Sequence, residues 1–230
     1  MSDAGDIAER YRDILRRIDA ACLRSGRDPR QVTVIGVTKT KPVEVIGAAR
    51  EAGITEIGEN YVQEMVAKHA EIGDTVHWHF IGHLQRNKVR EIVPFTGMIH
   101  GVDSERLGAE IGRQAAALGQ RMPVLLQVNT SGEESKFGVA PEDALYLGRA
   151  LAAIPGIELR GLMTIAAFPD DPEEVRPMFR LLRDIREDLR AATGLPLPDL
   201  SMGMTGDFEI AVEEGATLVR IGTALFGGRG

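Results

Sequence analysis

The chain has 230 residues, of which 43% are hydrophobic and 27% charged, with a formal net charge of -7. That is enough apolar material for one sizeable core, so residues 1–230 are expected to form a single domain. The acidic balance, with no basic block, excludes a general nucleic-acid binder. No apolar run is long enough to span a membrane. The lone cysteine, Cys22, allows no internal disulfide and points to a reducing, cytoplasmic compartment. The N-terminal Met1-Ser2-Asp3-Ala4-Gly5-Asp6 is acidic and has no secretory core.

Residues 4–25 carry Ile7, Ile14, Leu15, Ile18 and Cys22 at helical spacing and predict an amphipathic helix stopped by Gly26. The β-branched run 32–37 predicts strand 1. It ends at Thr38-Lys39-Thr40-Lys41, and Pro42 opens a helix to 52. Strand 2 is expected at 54–58, running into Glu59-Asn60-Tyr61, and a helix follows to 72. Strand 3 is expected at 76–81, ending at Gly82-His83, with a helix starting near Gln85. Strand 4, at 98–102, leads to Asp103-Ser104 as cap of a helix over 104–119. Strand 5 is expected at 123–128, then a polar loop containing Lys136 and a helix over 141–153. Strand 6 (157–164) is joined by a proline-rich connection to a helix over 172–192. Strand 7 (198–202), a helix over 206–214 and strand 8 (217–221) complete the series.

Eight strands alternating with helices predict a (β/α)8 TIM barrel with an extra N-terminal helix. That helix is expected to cover part of the gap left by a nearly absent final helix. Sites in such barrels form at the C-terminal ends of the strands. Here those ends carry Lys39, Asn60, His83, Asn129, Thr164, Ser201 to Thr205, and Arg220 to Thr223. Ser201-Met202-Gly203-Met204-Thr205-Gly206 leads into a helix, and Gly222-Thr223 makes a second small-residue turn. Loops after strands 7 and 8 are the usual phosphate seat of these barrels.

A phosphate seat facing a lysine fits pyridoxal 5′-phosphate (PLP), which carries a phosphate and an aldehyde. The lysine must first lose its proton, and a free lysine has a pKa of about 10.4. Burial and a neighbouring cation such as Arg220 lower it. An arginine facing the ring nitrogen also disfavours ring protonation, which weakens the ring as an electron sink. Other readings of these residues are blander. Lys39 could be a solvated strand-end lysine, and Lys41 a surface lysine. His77 and His79 could pair on a metal, though core or site-lining histidines fit better without a third ligand. Arg86, Lys88 and Arg90 read as a solvated helix face, Arg160 as structural, and Trp78 as packing.

The stretches VTKTKP (37–42), GENYVQE (58–64), HFIGHLQRNK (79–88), KFGV (136–139), GLMTI (161–165), SMGMTGDFEIAV (201–212) and VRIGTALFG (219–227) together resemble the YggS/PROSC family of PLP homeostasis proteins. The last stretch also resembles the arginine-bearing strand of alanine racemase N-terminal barrels. The resemblance covers residues 5–229. It implies an alanine racemase N-terminal domain-like barrel holding PLP as a Schiff base on Lys39. It implies Asn60 close to the cofactor, phosphate contacts from Ser201, Met204, Thr205, Gly222 and Thr223, and Arg220 near the ring nitrogen; His83, by its place near the mouth, is read as lining the site. Thr38 and Thr205 stand where many members have serine.

The function so implied is storage or delivery of PLP in vitamin B6 homeostasis, with indirect effects on amino-acid pools and no catalytic reaction. PLP-dependent apoenzymes would be recipients, and a monomer is expected. The chain is expected to lack the second domain that gives alanine racemases their opposing acid–base group. The alternatives are a small PLP-dependent amino-acid racemase and a Schiff-base aldolase acting on a phosphorylated sugar.

Overall fold

The computed structural model describes residues 4–133, 135–167 and 171–228. Part of the proline-rich connection after strand 6 and both chain ends, including the N-terminal residues 1–3, lie outside the described residues. Eight parallel strands close into a barrel in sequence order, β1 through β8. They are β1 Thr33–Val37, β2 Glu56–Glu59, β3 His77–Phe80, β4 Met98–Val102, β5 Met122–Gln127, β6 Ile157–Met163, β7 Asp199–Ser201 and β8 Leu218–Ile221. Most are apolar because a parallel strand in a barrel is covered on both faces, but β2, β3 and β7 also carry Glu56, Glu59, His77, His79, Asp199 and Ser201. β1 closes the barrel against β8 in the register Ile35↔Arg220 and Gly36↔Ile221.

The helices are α1 Ala4–Ser25, α2 Glu44–Glu51, α3 Val62–Ile72, α4 Val89–Ile92, α5 Glu105–Ala117, α6 Ala144–Ala153, α7 Arg176–Thr193, α8 Phe208–Glu213 and α9 Thr223–Phe226. Two differ from expectation. The helix expected from Gln85 is a 3-10 turn, Arg86–Lys88, followed by the single turn of α4. The helix expected from 172 begins as a 3-10 turn, Pro172–Val175, and becomes α-helical at Arg176. The Ser104 hydroxyl caps α5 by accepting from the Leu107 amide.

The short α9 leaves the β8 side of the barrel thinly covered, and α1 fills it. Arg10 donates to the Leu225 carbonyl at 3.2 Å, and Arg17 pairs with Glu209 at 2.8 Å while lying over the Phe208 ring. Ile7, Ile14, Ile18 and Cys22 bury the apolar stripe beneath. Cys22 is therefore a packing residue.

The core is in two layers. The larger lies between the strands and the helices and includes Trp78, Phe80, Phe179 and Phe226. A smaller group fills the barrel interior: Ile35, Met98, Leu125, Met163 and Leu218. Interior positions alternate along each strand. Ile35 and Val37 therefore share the inner face with their register partners Arg220 and Gly58, and Lys39, Asn60 and Gly222 follow in the turns beyond these strands. One close approach fixes the mouth geometry. A Cβ on Gly82 would lie 2.1 Å from the Asn60 carbonyl oxygen, so only glycine lets the β3 end pass the Asn60 backbone.

Candidate functional site

Lys39 sits in the turn that ends β1 and is half-buried. The turn is built by residues behind it. The Lys41 amide donates to the Thr38 carbonyl, and Thr40 adopts φ 61°, a left-handed conformation that a β-branched residue adopts only under constraint. The constraint is Glu64 of α3, which accepts from the Thr40 amide at 2.8 Å. Deeper still, Thr38 Oγ1 donates to Glu59 Oε1 at 2.6 Å. Lys68 Nζ donates to the same oxygen at 2.6 Å and to the Thr38 carbonyl at 2.8 Å. Thr38 and Glu59 are fully buried, and Lys68 nearly so. This buried ion pair locks the ends of β1 and β2 to α3.

Asn60 stands beside this turn, directly after β2. Its Oδ1 is buried with no hydrogen-bond partner among the described residues. A buried carbonyl oxygen without a donor is costly, and a bound polar group is what would satisfy it. His83 lies at the rim, stacked on Phe137 of the β5–α6 loop at 3.9 Å, with Asp103 at 3.8 Å from Nδ1. This stacking joins the third and fifth strand ends.

The β7 and β8 ends form one unit. Gly203 has φ 92°, and a Cβ there would lie 2.6 Å from Ala211 Cβ, so the tight exit from β7 requires glycine. The Gly203 carbonyl accepts from the Arg220 amide. Thr205 Oγ1 accepts from the Ala224 amide at 3.3 Å, stitching the loop after β7 to the turn at Gly222-Thr223. The Met204 amide donates to Asp207 Oδ1 at 2.6 Å. Burial pushes the Asp207 carboxyl above its ordinary range, with the Met204 amide pulling it back. Thr223 is exposed, and Gly222 and Thr205 are half-buried.

Ser201 is placed differently from the other members of the expected phosphate seat. It is the last residue inside β7, not a loop residue, and it is fully buried. Its hydroxyl faces the barrel interior, accepting from Arg220 Nη1 at 2.6 Å with His100 Nδ1 at 2.9 Å. Ser201 therefore belongs to the barrel interior and not to the loop after β7. Arg220 is also within the barrel. Its Nη2 donates to the Thr164 carbonyl at 2.8 Å, and burial lowers its pKa to about 10 against the supporting charge of Asp207.

The His77–His79 pair does not face a common ligand. Both rings contact Glu56, His77 Nδ1 at 2.9 Å and His79 Nε2 at 2.7 Å, with His77 exposed and His79 buried. No group of three or more potential ligands that could hold a metal occurs among the described residues. Arg160 pairs with Asp199 at 2.7 Å, and the Trp78 indole donates to the Gly73 carbonyl while its ring is buried.

Sequence reasoning missed Glu56, His100, Glu59, Lys68 and Asp207. The available signal was polar residues alternating within otherwise apolar strands, as at Glu56, His79 and His100.

His100 is fully buried and 2.9 Å from His79. Burial first, then His79 and Arg220, hold its pKa well below 6.5. The unfolded chain therefore binds a proton below pH 6.5 that the folded chain refuses. Its contribution is complete above that pH and is lost as pH falls, by about 1.4 kcal/mol per unit. Urea unfolding at pH 6.5 and 5.5 is expected to show this loss in the wild type and a correspondingly smaller one in His100→Asn.

Residues 15–230 match the family described as the alanine racemase N-terminal domain. The pyridoxal phosphate homeostasis protein of Aquifex aeolicus is 44% identical over 222 residues, covering 96% of this chain and 97% of that protein. The chain belongs to the pyridoxal phosphate homeostasis protein family. Within this family, PipY of Synechococcus elongatus with PLP bound superposes with a TM-score of 0.82 at 37% identity, over 96% of this chain and all of that one. Alanine racemase from Corynebacterium glutamicum shares the fold alone, at 18% identity and a TM-score of 0.76. The match covers 98% of this chain and 62% of the racemase. No helix among the described residues is long and apolar enough to cross a membrane.

Proposed function

We propose that this protein binds PLP through Lys39 at the barrel mouth and stores or delivers it, without turning over a substrate. The observation that carries the reading is a shared end of the barrel: Lys39, Asn60 and Gly222 lie in the turns directly after the adjacent strands β1, β2 and β8, next to Arg220 of β8. The PLP-bound relative supports the choice of ligand. When bound, PLP supplies an aldehyde that a lysine amine can hold reversibly. The residues present fit such a group. Asn60 Oδ1 is a buried acceptor lacking a donor, and the joined turns at Gly203–Thr205 and Gly222-Thr223 offer small residues and hydroxyls to an anion.

Arg220 supports the non-catalytic reading. Held inside the barrel by Ser201 and Thr164, it can present only N–H donors to a ring nitrogen, which disfavours protonation there and weakens carbanion chemistry. Ser201 then acts through Arg220 and not on the phosphate. We read the chain as a single-domain, monomeric carrier whose recipients are PLP-dependent apoenzymes.

The test loads the protein with PLP and offers it an apoenzyme whose activity reports cofactor arrival, alongside a racemisation assay over a panel of amino acids. Recovery of apoenzyme activity is expected, with racemisation no faster than a free-PLP control. Sustained racemisation above that control would instead establish the racemase alternative.

A further inference from the structure

Between the cofactor face and the opposite end of the barrel lie five polar side chains that no step above uses as a set. Arg220, Ser201, His100, His79 and Glu56 come from β8, β7, β4, β3 and β2. They are linked end to end by hydrogen bonds of 2.6, 2.9, 2.9 and 2.7 Å. All but Glu56 are buried. Glu56 meets the exposed His77 at 2.9 Å, so the series begins at the ring side and ends at solvent.

The donor at one end is fixed by chemistry: arginine has only donors, so Ser201 Oγ must accept from Arg220. The series takes a single polarity when the serine proton goes to His100, with Nδ1 as its acceptor. His100 is neutral, so its proton sits on Nε2 and is donated to His79 Nδ1. His79 in turn carries its proton on Nε2 and donates it to the Glu56 carboxylate. Burial raises the Glu56 carboxyl, but the bonds from His79 and His77 outweigh it and hold the group below its ordinary range, ionised as the series requires. The reverse polarity would need a doubly protonated His79 donating through His100 to Ser201, whose oxygen can accept twice.

We propose that Glu56, His79, His100 and Ser201 are positioning residues forming a one-way hydrogen-bond chain that fixes the Arg220 guanidinium against the cofactor ring. The inference rests on the PLP reading above for what Arg220 faces. The chain works because Ser201 can rotate. With its proton committed to His100, it presents a lone pair to Arg220. Without that acceptor the hydroxyl turns its proton elsewhere, and Arg220 loses the contact that sets its plane.

The deciding variants are His100→Asn and His100→Leu. Asparagine places Oδ1 near the position of Nδ1 and keeps an acceptor for Ser201. Leucine fills more of the volume but offers none. The chain requires His100→Leu to release PLP at least about tenfold faster, the loss expected for one hydrogen bond to a charged group, with a shifted absorbance of bound PLP. His100→Asn should stay within about threefold of the wild type on the same scale. A purely space-filling histidine predicts the reverse order, and that order would overturn the proposal. If His100→Leu does not fold, Ser201→Ala substitutes for it, with the same expected loss.

Nitrogen-15 NMR of the histidines in the PLP-free protein tests the chain apart from the cofactor. Neutral His79 and His100, each protonated at Nε2, are expected. A proton on His100 Nδ1 would refute the chain. A wild type that takes up no PLP but shows these tautomers would leave the chain standing and overturn the PLP reading, and with it the role at the ring.

Discussion

Lys39→Ala is expected to abolish the visible absorbance of lysine-bound PLP and to prevent borohydride from fixing the cofactor to the chain. The fold should survive, because Lys39 lies in a turn past the end of β1 and the restraints on that turn belong to Thr38, Glu64 and Lys68. Stability should change by no more than about 1 kcal/mol, the common size for a single substitution. Residual PLP affinity should remain through the turns after β7 and β8. Borohydride reduction followed by peptide mass mapping of the wild type gives the decisive comparison. Label on Lys39 is expected. Label on Lys41 or Lys136, with the band retained in Lys39→Ala, would move the attachment point and remove the central assignment. Lys41 is a weak rival on geometry, since its Nζ donates to the Gly228 carbonyl at 2.7 Å, away from the barrel axis.

The barrel was legible because most of its strands, such as β1, β5 and β8, are short apolar runs, as parallel strands covered on both faces tend to be, and they alternate with helical periods. Lys39 drew notice for the same reason: a lysine two residues past Val34-Ile35-Gly36-Val37, at the end of a buried strand, is unusual unless it has a use. The β7 and β8 turns could be read from their small residues. Interior pairings could not. His100 and Ser201 meet across 101 positions of sequence, and Lys68 reaches Glu59 from the next helix. Nothing local distinguishes such a lysine from a solvated one. Ser201 was read within strand 7 and also as part of the phosphate-facing stretch after it; β7 ends at Ser201, and its hydroxyl meets Arg220 and His100, which sequence spacing could not reveal.

These interior residues change how the mouth is understood. On the proposed reading the cofactor-facing atoms are few, and each is held from behind by a different polar group. Lys39 has the Glu59–Lys68 pair and Glu64, Arg220 has Ser201 and Thr164, and the Gly203–Thr205 loop has Asp207. A barrel of short strands, with only three residues in β7, gains rigidity at its rim from such supports. Exchange of the bound group can then occur at an open mouth without loosening the residues that hold it.

The largest stability effect is expected at Lys68. In Lys68→Met, Glu59 keeps only the Thr38 hydroxyl, while its Oε2 already lacks a partner among the described residues. Breaking a buried pair in this way costs about 3–5 kcal/mol, whereas replacing both members by uncharged groups is near neutral. Lys68→Met should therefore fall by that amount in urea unfolding at neutral pH, and the double variant Glu59→Gln/Lys68→Met should recover most of it. The pH dependence supplies an internal check. Burial already pushes the Glu59 carboxyl above 4.5, against the pull of Lys68 and Thr38. Without Lys68 it rises further, so the folded state of Lys68→Met holds a proton that the unfolded state has released. Stability then falls as pH rises from 4.5 through the folded value, opposite in sign to the His100 contribution. Lys68→Met should be least impaired at the acid end. A deficit that is instead constant with pH would mean that Lys68 acts through its bond to the Thr38 carbonyl and not through the charge of Glu59.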